Sequence, residues 1–241
     1  MIYQVSKAKY SIAGINTGLI LREGGVTHKQ AKDYLCDFEG DPEIVVGISD
    51  EYIAARKKET PHLSELDLEY MWSCSEFCLK LLDYDGFMLH ASGVVYKNRA
   101  YLFSAPSGTG KSTHTSIWRK AFGEDETFII NDDKPIIRIM DDGPIVFGTP
   151  WSGKTDANVN TSVPLQGICF LERGKENHIE KMSAREAVHK ILDQTVRPLE
   201  PVGMEKLLNV MDKLLKEVSV YRMQCNMDID AALTAYEGMS K

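Results

Sequence analysis

Apolar positions along the chain recur mostly with the two-residue period of strands, interrupted by a few stretches with the wider spacing of helices. Tyr10–Leu21 and Glu43–Ile48 read as strands, with turn chemistry at Gly24-Gly25 and Gly40-Asp41-Pro42. Ser64 then opens a helix whose buried stripe is Leu68, Met71, Trp72, Cys78, Leu79 and Leu82, and which stops near Asp85-Gly86. Two strands follow, Phe87–Tyr96 and Arg99–Phe103, joined by a tight turn at Lys97-Asn98. A helix carrying Ile117, Trp118, Ala121 and Phe122 on one face leads to another β run, Thr127–Ile130, which ends in Asn131-Asp132-Asp133.

Farther on, Pro135–Met140 and Pro144–Phe147 flank Asp141-Asp142-Gly143 as a hairpin. Leu165–Leu171 and His178–Met182 read as a further β pair across Glu172–Asn177. Ser183 and Glu186 form a capping box at the start of a helix through Leu192. Met204, Leu207, Leu208, Met211, Leu214 and Leu215 mark a second amphipathic helix. Val218–Met223 reads as a last strand, before a short helix from Asp228. Neighbouring strands in sequence predict a mixed sheet, because a parallel α/β sheet needs alternation of strand and helix. The expected organisation is an N-terminal β-rich appendage over 1–60, packed on the core, and a larger domain over 61–241.

Two Gly-Lys-hydroxyl loops stand out. The pattern G-x-x-x-x-G-K-[ST] is met literally only by Gly148-Thr149-Pro150-Trp151-Ser152-Gly153-Lys154-Thr155, since Ala105 replaces the leading glycine ahead of Ser107-Gly108-Thr109-Gly110-Lys111-Ser112-Thr113. A phosphate loop works by aiming backbone N–H groups from a helix N-terminus, so it needs a strand before it and a helix after it. The first loop has both. The second runs into Asp156–Pro164, which has no helical period and ends in proline. The phosphate cradle is therefore expected at Ser107, Gly108, Thr109, Gly110, Lys111, Ser112 and Thr113. Lys111 would reach the β- and γ-phosphates and Ser112 would hold magnesium. Asp132 and Asp133, at the end of a neighbouring strand, supply the carboxylates such a site needs, one on the metal and one as base toward an acceptor hydroxyl.

Composition narrows the function. Net charge is −7 and charged residues are 26%, which argues against an extended nucleic-acid surface. No apolar run approaches membrane-spanning length, about 20 residues. The N-terminus has no basic segment followed by an apolar stretch, so no leader is expected. Five scattered cysteines include no CxxC pair, which fits packing roles and a reducing cytoplasm. Cys74 and Cys78, four apart, are expected to be neighbours on a helix.

Leu89-His90-Ala91-Ser92, then Leu102-Phe103, then Ser107–Ser112, then Asn131-Asp132-Asp133 occur in an order and spacing that resemble the HPr kinase/phosphorylase and phosphoenolpyruvate carboxykinase superfamily. The resemblance covers roughly residues 86 to 200. It implies an α/β fold of mixed twisted sheets around a P-loop, like the C-terminal domain of HPr kinase. It also implies His90 as an active-site histidine, Asp132 as the catalytic base and Asp133 on the metal. Trp151 and Lys154 would line the acceptor pocket. Of Lys154, Arg185 and Arg197, at least one is expected to point into the cavity with Lys111 and His90, Arg197 first. The family's C-terminal glycine-rich signature is not found, so the implied acceptor differs from HPr.

The expected activity is transfer of the γ-phosphoryl group of ATP, with Mg2+, to a hydroxyl, serine of a protein, peptide or free amino acid. Two alternatives stay open: a sugar or polyol kinase, and a non-catalytic nucleotide-binding regulatory module. Neither nucleic acid nor membrane is an expected partner, the donor among ATP, ADP and pyrophosphate is undecided, and the oligomeric state is open.

Overall fold

The computed structural model describes residues 3–240. Met1, Ile2 and Lys241 lie outside them, so the leader-peptide reading rests partly on residues not described.

The run Tyr10–Leu21 is not one strand. It folds back at Ala13-Gly14, both at positive φ, into a hairpin of β1 (Val5–Ile12) and β2 (Ile15–Arg22). Both strands alternate apolar and polar residues, so the turn leaves the periodicity unbroken and only the glycine marks it. After α1 (Val26–Gln30), β3 (Ile44–Gly47) joins β2 in parallel, completing a three-stranded sheet. Two capped helices follow. Ser49 accepts from the Tyr52 N–H ahead of α2 (Asp50–Glu59), and Ser64 with Asp67 forms a capping box ahead of α3 (Glu65–Leu81).

Leu68, Cys74, Phe77, Cys78 and Leu81 of α3 are buried, and the last four share a core with the three-stranded sheet. Met71 and Leu79, expected on that stripe, are 47% and 43% exposed. Glu69 takes a place on the buried face, where Arg22 donates to it from its backbone and its guanidinium. Trp72 packs edge-on to Tyr52 of α2 instead. Cys74 and Cys78 do lie together, with sulfurs 3.9 Å apart in the core.

Phe87–Tyr96 also divides, into β4 (Gly86–Met88) and β5 (Ala91–Tyr96). Its chain leaves one half of the large sheet and enters the other at Leu89-His90, and this break sets His90 apart from regular pairing. β5 turns through Lys97-Asn98, both left-handed, into β6 (Arg99–Ser104). Then come α4 (Lys111–Phe122), β7 (Thr127–Asn131) and the hairpin of β8 (Ile136–Met140) and β9 (Gly143–Phe147). β10 (Ser162–Arg173) is long enough to serve both halves, pairing antiparallel with β9 at its start and parallel with β6 beyond Leu165. The order across the sheet is β4-β8-β9-β10-β6-β5-β7.

β11 (His178–Lys181) does not pair with β10 as expected. After α5 (Ala184–Leu192) and α6 (Pro201–Glu217), β12 (Val220–Cys225) inserts between them, parallel to β10 and antiparallel to β11. The four-residue gap between β10 and β11 reads like a hairpin loop, and nothing local announces a strand arriving from about forty residues away. α7 (Asp230–Met239) closes the described chain.

Alternation along β6 explains the layers. Tyr101 and Phe103 face a core with Trp118 of α4 and Ala232 of α7, whereas Ala100 and Leu102 face one with Ile191 of α5 and Leu207 of α6. The result is a mixed α/β fold with curled sheets and helices on both faces. Among the described residues, no helix is long and apolar enough to cross a membrane.

Candidate active site

Strand register brings the candidate residues together. Ala91 pairs with Ser104, and Gly93 with Asn131. The start of β5 therefore lies beside the end of β6 and the end of β7. His90, the glycine-rich turn after Ser104 and the Asp132-Asp133 pair all emerge at one end of the sheet. They border a cleft of about 890 Å³, within the range of small-molecule sites.

The turn after β6 leads directly into α4. Gly108 and Gly110 hold φ of 77° and 122°, values that L side chains rarely adopt, and Gly110 caps the helix with no side chain over its first amides. Gly110, Lys111 and Ser112 border the cleft, so the helix start lies at it, and the positive end of a helix dipole favours an anion. Lys111 folds back along the turn, only 9% exposed, with its ammonium donating to the Ala105 carbonyl at 3.1 Å. Burial lowers its pKa, with Asp133 and Asp132 opposing that effect.

The two aspartates have different surroundings. Asp132 accepts from the Ser92 hydroxyl at 2.6 Å and the Thr155 hydroxyl at 2.9 Å, both neutral donors. Asp133 lies 3.3 Å from His90 Nε2 and forms an ion pair with Lys134. Burial works against its charge, but the hydrogen bond from His90 and the Lys134 ammonium outweigh it and hold its pKa down at about 2. His90 is itself held by Gln194, through Nδ1 to Oε1 at 2.9 Å and through its backbone N–H to the Gln194 carbonyl at 2.7 Å. Fully buried Asn131 orders the bend: its side-chain oxygen accepts from the Asp133 and Lys134 N–H groups, and its amide donates to Thr149.

The second Gly-Lys loop reaches the same cleft without a helix of its own. The Tyr70 hydroxyl of α3 accepts from the Gly153 N–H at 2.9 Å and from Lys134 Nζ at 3.1 Å, and Gln30 donates to the Gly153 carbonyl at 3.0 Å. Lys154 borders the cleft as well.

Of the residues singled out in the sequence, Ser107, Gly108, Gly110, Lys111, Ser112, Thr113, His90, Asp132, Asp133 and Lys154 line the cleft. Thr109 faces an adjoining cavity instead. Two expectations are overturned. Trp151 is fully buried against Phe77, its indole N–H on Ser73 at 3.2 Å, so it is a core residue and no part of an acceptor wall. Arg197 is exposed and does not border the cleft, and neither does Arg185. The stretch that holds them contributes Gln194 to the site instead. Sequence reading missed Lys134, Tyr70, Ser92 and Thr155. Lys134, adjoining the Asp pair, is the one with a local signal, whereas Tyr70 is masked by its place on a helix.

The donors suit a hard cation: the Ser112 hydroxyl and the Asp133 carboxylate border one cleft, and Asp133 stays anionic at any ordinary pH. Among the described residues there is no cluster of three His, Cys, Asp or Glu side chains that by itself would hold a metal.

No curated protein matches the sequence. Among solved structures, the HPr(Ser) kinase/phosphatase from Coxiella burnetii is a distant likeness, at 12% identity and a TM-score of 0.32, over 61% of this chain and 91% of that one. The family model described as SynChlorMet cassette protein ScmC matches residues 57–229, and with most of its length so covered the chain belongs to the ScmC family.

Proposed function

We propose that the chain is an ATP-dependent kinase that transfers the γ-phosphoryl group to a hydroxyl, foremost that of serine in a protein, peptide or free amino acid. The observation that carries this reading is the convergence of an uncapped helix start, Lys111 and two differently held carboxylates on one cleft. In this reading the β- and γ-phosphates lie on the amides of Gly108–Thr113, and Lys111 leaves the Ala105 carbonyl to pair with them. Ser112 and Asp133 would hold magnesium, which when bound neutralises phosphate charge.

Asp132 is the base. Its two neutral hydroxyl partners orient it without neutralising it, so it can accept the acceptor's proton as that oxygen bonds to the γ-phosphorus and the bond to the β-phosphate oxygen breaks, releasing ADP. Asp133, tied to a lysine and a histidine, is the poorer base and serves as fixed negative charge. Lys154, on the second loop, meets the acceptor or the transferred phosphate.

The test is incubation with γ-labelled ATP and magnesium against serine peptides, free amino acids and polyols. Label is expected on a serine hydroxyl, with turnover lowered ~10²–10⁴-fold in Asp132→Asn while nucleotide affinity is kept. Full activity in Asp132→Asn would remove the base assignment. Label on polyols alone would replace the acceptor class, and no transfer to any acceptor would remove the kinase reading.

A further inference from the structure

On the far side of the glycine-rich turn lies a second cavity, of about 510 Å³. It shares Gly108, Gly110 and Thr113 with the main cleft, so the two adjoin at the turn. Its walls include the apolar side chains of Ile117, Leu171 and Met227. At its rim Arg173 donates to the Gly108 carbonyl at 2.7 Å, fastening the end of β10 to the turn.

His114, one turn into α4, borders this cavity at 2% exposure. Its Nε2 accepts from the Trp118 indole N–H at 3.2 Å. Indole nitrogen is only a donor, so in the neutral ring the proton sits on Nδ1. That Nδ1 is buried and has no hydrogen-bond partner among the described residues. Because Nε2 accepts, it carries no proton, and the ring is neutral. Buried donors are nearly always paired, because an orphan forfeits its hydration for nothing.

We infer that this cavity takes the nucleoside end of the donor nucleotide, with His114 Nδ1 donating to an acceptor atom on it. The inference rests on the phosphate assignment proposed above and deepens it: the donor is a nucleoside triphosphate and not pyrophosphate. The apolar walls suit the faces of a flat ring. A neutral donor suits an uncharged ring nitrogen or carbonyl, whereas a phosphate would draw a cation. The shared backbone of Gly108 and Gly110 lets one ligand have its phosphates on one side of the turn and its base on the other.

Calorimetry with ATP and with inorganic tripolyphosphate tests this on the wild-type chain, His114→Phe and Met227→Ala. Met227 is 78% exposed, so its truncation leaves the fold intact. Wild type is expected to favour ATP over tripolyphosphate by about tenfold or more. His114→Phe should weaken ATP roughly five- to tenfold, the scale of one buried hydrogen bond, with tripolyphosphate unchanged. Met227→Ala should lower the same ratio about two- to fivefold. Equal affinity for the two ligands in wild type, or a ratio that neither substitution moves, would overturn the inference while leaving the phosphate site standing. Binding of neither ligand to wild type would sink the phosphate reading itself, and this inference with it.

Discussion

The two Gly-Lys loops are built on opposite logic, although their lysines border the same cleft. In the first, Gly108 and Gly110 have open space where a Cβ would stand and are needed for their left-handed dihedrals. In the second, Gly153 also holds a left-handed φ of 72°, but the leading Gly148 has no unusual φ. It is needed because a Cβ there would lie 2.0 Å from the Val159 carbonyl oxygen. The first loop passes from a central strand into a helix and presents amides. The second is a coil held from outside, by Tyr70 and Gln30. The better literal match to a phosphate-loop pattern thus belongs to the loop without the backbone for it. Glycine spacing records where the chain is tight, and only the flanking elements say whether it is tight around a ligand.

The largest expected effect separates the lysines. Lys111→Ala should lower ATP affinity by about a hundredfold or more and abolish transfer, because a buried cation next to the phosphates is removed. Lys154→Ala should leave ATP affinity within about twofold and raise the KM for the acceptor up to about tenfold. Titration calorimetry and steady-state kinetics on the two variants decide the matter. ATP affinity lost only in Lys154→Ala would reverse the roles of the loops.

Next is the structural cost of the second loop's glycine. Gly148→Ala forces backbone against backbone, since the Ile130 carbonyl oxygen is a second obstacle, 2.8 Å from the added carbon. A loss of about 2–4 kcal/mol is expected, at the upper end for a single substitution. Gly108→Ala has room for its methyl group and should cost about 1–2 kcal/mol, from its dihedral alone. Urea unfolding of the pair measures both, and equal losses would contradict the distinction between a tight approach and a special dihedral.

How much of this was legible in the sequence follows from how local each signal is. The capping box at Ser183, the helix start at Ser64, the Lys97-Asn98 turn and the strand–turn–helix around Lys111 are written within a few residues, and each lies where it is expected. The insertion of β12 between β10 and β11 and the burial of Trp151 depend on partners distant in the chain, which periodicity does not carry. The site divides in the same way. The cleft-lining stretch Ser107–Thr113 and the Asp pair sit at strand ends and were visible. Tyr70 and Gln194 enter from elements whose register with β7 and β5 only folding establishes.

The smallest effect concerns the link between the two loops. Asp133 pairs with Lys134, Lys134 donates to Tyr70, and Tyr70 accepts from Gly153, so the carboxylate of one loop's site helps to hold the other loop. Its folded pKa of about 2 lies below the ordinary 3.8. A depressed carboxylate stabilises the fold fully above its unfolded pKa and loses that contribution as pH falls through the folded one. The shift corresponds to about 2 kcal/mol at most, present at pH 5 and largely gone near pH 2. Asp133→Asn has no proton to bind, so the stability gap between wild type and this variant should narrow by about that amount across the interval. Lys134→Met should flatten the acid dependence too, because without the ammonium the carboxyl moves back toward its ordinary range. Urea denaturation at half-unit steps from pH 5 to pH 2 measures all three chains. Parallel curves would mean that Asp133 is not held by its neighbours, and the second loop would then depend on Gln30 and Tyr70 alone.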